Sequence, residues 1–229
     1  MKLTAIGAKI RRDIQNFGVA KTAYEVLMEG INLCVDFRIT KVMKVEAVNP
    51  DYLESKEPLQ WQFLYRSQLF ELARNPENKL SELFVEHALE KGDECFGALD
   101  GDGLACYGWY SNNPTNDNGL TVHFSRDFMY MYSGFTVPKY RGMRLHAIGM
   151  NRALREYLGR GFKGLISYVN SHNFSSLHSV YRMGYQDIGS VVALKLGGHV
   201  FIHTSRGCRE HGVFLARPSA AAQVPVFTA

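Results

Sequence analysis

The chain is poor in cysteine, and its four, Cys34, Cys95, Cys106 and Cys208, include no Cys-x-x-Cys pair. That spacing excludes the usual zinc sites and gives no disulfide framework, so a reducing, cytoplasmic setting is expected. Long apolar runs are also lacking, which excludes a helix that spans a bilayer. Lys9, Arg11, Arg12 and Asp13 interrupt the first thirty residues, so a signal-peptide h-region is not expected there. Excess charge is small: 26 Lys and Arg against 22 Asp and Glu leave +4. With no aromatic-interleaved basic stripe, a nucleic-acid binder is not expected, whereas an anionic small ligand fits that charge. No internal repeat is present. What the chain has is an ordinary globular composition, 46% hydrophobic and 21% charged, over 229 residues. That is enough for one domain, or one domain with an appendage.

From Ile6 to Val35 apolar residues recur at helical spacing (Ile10, Ile14, Phe17, then Tyr24, Leu27, Met28, Ile31), which predicts one or two amphipathic helices broken near Gly18. Lys9, Arg11, Arg12 and Lys21 could face an anionic membrane surface; a packing helix with a solvated basic face is the simpler reading. Residues 1–40 are therefore read as a helical extension. Phe37–Val48 reads as a strand, and Trp61–Ala73 and Leu80–Leu89 as two helices around Asn75-Pro76. Asp100-Gly101-Asp102-Gly103 punctuates a hairpin between Cys95–Leu99 and Leu104–Tyr110. Its alternating Asp and Gly lack the further ligands of a calcium loop, and no metal is expected. Ser111–Gly119 reads as a polar loop, Phe128–Val137 as the most apolar strand, Gly164–Asn170 as another, Phe174–Met183 as a helix, and Ile188–Leu196 with His199–His203 as closing strands. The tail 217–229 is read as disordered.

The strand Phe128–Val137 runs directly into Pro138-Lys139-Tyr140-Arg141-Gly142 and a helix with Ala147, Met150, Leu154 and Leu158 on one face. A strand, a tight turn and a helix start aim unpaired backbone N–H groups at one point, where the helix dipole favours a phosphate. Gly142 permits close backbone approach, and Arg141 and Arg144 add positive charge.

The stretch Val137-Pro138-Lys139-Tyr140-Arg141-Gly142-Met143-Arg144-Leu145-His146 resembles the coenzyme A loop, motif A, of the GNAT acyltransferase superfamily. Val169-Asn170-Ser171-His172-Asn173-Phe174-Ser175-Ser176, followed by Met183-Gly184-Tyr185, is similar to motif B of the same family. The resemblance spans roughly 41–215. It implies a mixed α/β fold: a twisted, mostly antiparallel GNAT-like sheet flanked by helices, over 41–216. It further implies transfer of an acetyl or longer acyl group from coenzyme A to an amine by direct attack. The co-substrate would be acetyl-CoA or another acyl-CoA, held by Phe135, Thr136, Val137, Arg141, Gly142, Met143, Arg144, Leu145, His146, Asn173 and Ser176.

The departures from the family pattern are specific. Arg144 and His146 stand where the family has its second and third loop glycines, and Val180 stands at the position of a thiolate-protonating Tyr, with Tyr181 about 100° further round the helix. No Glu lies in Phe128–Val137. His146, Tyr132 and Tyr181 are the candidate catalytic groups, His146 because a helix N-terminus biases it toward the neutral base. The expected acceptor is a small amine. A donor delivered on acyl carrier protein, as in N-acyl amino acid synthases, and a catalytically degenerate acyl-CoA sensor are the rival readings.

Overall fold

The computed structural model describes residues 2–217. The expectation for the tail lies, beyond Arg217, outside the described residues. The chain opens with helices α1 (Lys2–Phe17) and α2 (Val19–Ile31), which break at Gly18. Lys9 bridges them, its Nζ 2.7 Å from Glu25, so this cation joins the two helices. The hairpin is anchored near the later helix start at Phe174: the Phe17 and Tyr24 rings each lie 6.2 Å from the Phe174 ring, and the Tyr24 hydroxyl is 2.8 Å from Ser171 Oγ.

The next elements are β1 (Asp36–Val45), β2 (Gln60–Phe63), α3 (Arg66–Ala73), α4 (Glu82–Lys91), β3 (Glu94–Asp100) and β4 (Gly103–Ser111). Then come β5 (Thr115–Asp117), β6 (Leu120–His123), β7 (Phe128–Thr136), α5 (Leu145–Gly159), β8 (Gly164–Asn170) and α6 (Phe174–Arg182). The chain closes with β9 (Gln186–Leu196), β10 (His199–Thr204), α7 (Arg206–Glu210) and β11 (Phe214–Ala216). Because β1 starts at Asp36 and runs to Val45, a single strand crosses the 40/41 boundary drawn from sequence.

Eight strands form one sheet in the order β10-β9-β1-β8-β7-β4-β3-β2, antiparallel throughout except for the parallel pair β7–β8. A parallel pair needs a crossover, and α5 supplies it. The fold is thus the expected mixed α/β one, a mostly antiparallel sheet flanked by helices. A second sheet, β11-β6-β5, packs on the opposite face. Between the main sheet and α5 and α6 lies one core, with Met43, Met129, Met131, Met150, Leu154 and Val180. Between the main sheet and the small one lies another, with Val42, Val122, Tyr130, Ile166 and Val213.

One helical expectation is corrected. Trp61 lies in β2, not at the start of a helix: Trp61 pairs with Ala98 and Phe63 with Phe96, and α3 begins only after Tyr65, whose amide donates to Gln68 Oε1 at 3.0 Å. The spacing Trp61, Leu64, Tyr65 mimics one helical turn, but the alternating Trp61 and Phe63 are claimed by long-range burial. Phe63 meets Tyr157 of α5 at 5.6 Å between ring centroids. Among the described residues no helix is long and apolar enough to cross a membrane.

Candidate functional site

The site begins as a failure of strand pairing. The parallel ladder between β7 and β8 runs from Phe128/Gly164 to Met131/Ser167 and stops. Beyond it β7 stays with β4, as far as Thr136 opposite Cys106, while β8 stays with β1, as far as Asn170 opposite Thr40. The β4–β7 register shifts here, with Trp109 opposite Ser133 but Tyr110 opposite Met131, so Tyr132 is an extra residue in β7. Such a bulge bends its strand and sharpens the local twist. The two strands separate, and a cavity of about 450 Å³ opens between them.

This cavity draws its lining from both faces of the sheet. Its lining includes Met131, Met150 and Val180, which belong to the core beneath α5 and α6, and also Tyr130 and Tyr168, which belong to the core beneath the small sheet. Two reactants can therefore meet in it from opposite faces. Asp117, at the end of β5, lines the small-sheet side.

The turn after β7 leaves amides unused. Val137 donates to Ala105 at 3.0 Å, and the Tyr140, Arg141 and Met143 amides bond to Val137, Pro138 and Tyr140 carbonyls within the turn. The amides of Gly142, Arg144, Leu145, His146 and Ala147 have no acceptor among the described residues. The last three belong to the first turn of α5, where a helix cannot satisfy its own donors and its dipole favours an anion. Gly142 has φ +86, and a Cβ there would meet nothing within 4 Å, so the backbone faces open space. Arg144 occupies the left-handed region at φ 60, a conformation that costs a non-glycine residue roughly 1–2 kcal/mol, at the position where the resembled motif has glycine. Its guanidinium lies 5.4 Å from the Tyr52 ring centroid. Tyr140 donates to Asp100 Oδ2 at 2.5 Å, which ties this turn to the β3–β4 hairpin.

His146, Tyr132, Asn173 and Ser176 line the cavity, and the structure thus brings together four of the residues singled out from sequence. Burial lowers the His146 pKa and favours neutral imidazole, the form that accepts a proton. Tyr132 is corrected as a proton-transfer candidate. Its hydroxyl donates to Asp93 Oδ2 at 2.8 Å, and burial, followed by the Asp93 charge, pushes its pKa up. Asp93 is 3% exposed and also receives Ser111 Oγ at 2.6 Å and Lys91 Nζ at 2.9 Å. The Tyr132 hydroxyl therefore completes a buried polar cluster. Tyr181 is corrected as well: it is 46% exposed and does not line the cavity, whereas its neighbour Val180 does.

Phe135, Thr136, Val137, Arg141, Gly142, Met143, Arg144 and Leu145 do not line the cavity; they lead from β7 into α5. Phe135 packs beside Tyr107, the Thr136 carbonyl accepts from Arg141 Nε at 3.4 Å, and Val137 and Leu145 are buried. Asn173 caps α6, its Oδ1 accepting the Ser176 amide at 3.1 Å, which leaves its side-chain Nδ2 as the free group. Sequence reasoning missed Ser133, Gly134, Ser167 and Asp117 as lining residues. The first two are placed by the bulge and the last by a three-residue strand, and neither leaves a local periodicity.

No protein-family model matches the chain, and no curated protein does. Among solved structures it is similar to an N-acetyltransferase-like protein, GCN5-related, from Streptococcus suis (14% identity, TM-score 0.48, covering 76% of this chain and 67% of that one). It is also similar to a GCN5-related N-acetyltransferase from Sphaerobacter thermophilus (11%, 0.48, 78% and 56%). A GNAT-family acetyltransferase from Colwellia psychrerythraea is a further such structure (14%, 0.46, 73% and 60%). The chain thus spans between 56% and 67% of the length of these proteins, and the likeness concerns the fold alone.

Proposed function

We propose that the chain transfers an acyl group from an acyl-CoA thioester to an amine that attacks it directly. The observation that carries this reading is the gap between β7 and β8, lined from both faces of the sheet, with the unpaired amides of Gly142 and the α5 start beside it in the chain. The resemblance of residues 137–146 and 169–185 to the two GNAT motifs supports it from sequence. Those amides would receive the diphosphate, and the free backbone edge of β7 beyond Met131 would receive the pantetheine amides. In the reaction the amine nitrogen forms a bond to the acyl carbon, the carbon–sulfur bond breaks, and the thiolate leaves. His146 would take the proton that nitrogen gives up. The thiolate would take its proton from water, since Val180 stands at the position of the resembled motif's thiolate-protonating Tyr.

Val180 also favours a second reading, an acyl-CoA sensor on the same fold. Titration calorimetry with acetyl-CoA and longer acyl-CoAs, followed by thiol release on a panel of amines, separates the two. The same assay with acyl carrier protein as donor tests that partner. Saturable binding with turnover on at least one amine is the expected result. Binding without turnover on any amine leaves the sensor, and no binding of any acyl-CoA ends both readings.

A further inference from the structure

On the small-sheet side the cavity carries an unusual combination. Asp117 lines it, held at the end of β5 by pairing with Leu120 of β6. Among the described residues its carboxylate accepts no hydrogen bond. Its nearest cation, Arg38 Nη1, is 3.7 Å away, and Arg38 is itself held by Asp36 at 3.0 Å and by the Asn118 carbonyl at 3.3 Å. Lys195, also near, is shared between Asp36 at 3.0 Å and the same Asn118 carbonyl. Burial raises the Asp117 pKa against the pull of Arg38 and Lys195, yet the side chain keeps 41% exposure, so the carboxylate stays open to a ligand entering from the cavity.

Around it stand Tyr130 and Tyr168, whose rings meet edge to face at 5.5 Å, with Tyr132 at 6.0 Å from Tyr130. The Tyr168 hydroxyl is buried without a partner, on a residue that lines the same cavity. A buried polar atom without a partner is uncommon in native structures, so this hydroxyl is available to hydrogen-bond a ligand. A carboxylate with open lone pairs beside phenol rings suits an alkylammonium group, through charge-assisted hydrogen bonds and cation–π attraction.

We propose that Asp117, with Tyr130 and Tyr168, forms the acceptor subsite and binds the amine as its ammonium cation from the face opposite α5 and α6; the ammonium gives one proton to solvent water before the neutral amine attacks. This rests on the acyl-transfer reading and names the acceptor class for that site. A neutral or anionic acceptor is excluded by it.

The test uses the full chain and ligand-observed NMR titrations of n-butylammonium and benzylammonium against n-butanol and benzyl alcohol. Acetyl-CoA affinity is measured in parallel. The expected result is at least tenfold tighter binding of each ammonium than of its alcohol, a preference that Asp117→Asn abolishes and Tyr168→Leu weakens, with acetyl-CoA affinity within twofold of wild type. Equal affinity for amine and alcohol in the wild type overturns the proposal without any variant, and so does a preference that persists in folded Asp117→Asn. Acetyl-CoA binding with no ammonium binding overturns the subsite and spares the acyl-CoA reading. An ammonium preference with no binding of any acyl-CoA does the reverse.

Discussion

The imidazole of His146 occupies the space that a side chain on Gly134 would need: a Cβ built there lies 2.7 Å from Cε1 and 3.0 Å from Nδ1. The bulged part of β7 and the first turn of α5 are therefore in contact through a glycine, and the candidate base is positioned by the absence of a methyl group. Gly134→Ala would also press on Met131 Cε at 2.7 Å. The Met131 end can swing aside, but the ring is confined by the cavity wall. We expect a stability loss of about 1–3 kcal/mol, typical of overpacking, and a larger fall in turnover than in acetyl-CoA affinity. Denaturant melts together with thiol-release kinetics check this; an unchanged kcat would detach His146 from the chemistry.

At Gly142 the backbone is left-handed and a Cβ would enter empty space. Gly142→Asn is the informative change, because asparagine tolerates that conformation and so keeps the fold while placing atoms where the diphosphate would approach. Acetyl-CoA affinity is expected to fall at least tenfold with melting temperature lowered by only a few degrees. Calorimetry on the folded variant decides: an unchanged dissociation constant would remove this turn from the donor site.

Elements with long or punctuated patterns were legible in the sequence. Helix α5 shows its apolar stripe, β8 matches its expected bounds of Gly164–Asn170, and the Asp-Gly turn marks the β3–β4 hairpin. What was not legible depends on distant partners. The four-residue β2 exists because Trp61 and Phe63 pair with β3 and face α5, and β11 exists because Phe214–Ala216 pairs with β6. The site divides in the same way. Gly142, His146, Asn173 and Ser176 come from local motifs, while Asp117 reaches the cavity only because β5 and β6 pair. The extra residue at Tyr132 is set by the register with β4, and a strict two-residue alternation along β7 cannot reveal it.

Tyr132→Phe distinguishes a structural hydroxyl from a catalytic one. The change removes one of three donors to Asp93, which stays buried and keeps Ser111 and Lys91. A buried carboxylate deprived of one hydrogen bond costs about 1–3 kcal/mol, or several degrees in melting temperature for a chain of this size. The value of kcat, measured where the variant is folded, should remain within twofold of wild type. A hundredfold loss of kcat with unchanged stability would return the phenol to the list of catalytic groups.

His146 couples stability to pH in a defined direction. Burial places its folded-state pKa below that of a histidine in the unfolded chain, about 6.5, so as pH falls the unfolded chain takes up this proton before the folded chain does. The stabilisation from burying the neutral ring is complete above about pH 6.5 and shrinks as pH drops through that value toward the folded-state pKa. His146→Gln deletes this titration and leaves the other histidines in place. The difference in melting temperature between about pH 7.5 and pH 5.5 should therefore be smaller in the variant than in the wild type. In the wild type, the acid limb of kcat/KM should fall below the pKa of a free histidine, because the base stays neutral to lower pH. Matching pH–stability curves for the two proteins would show that this imidazole is not held neutral by burial, and would remove the physical basis for its role as proton acceptor.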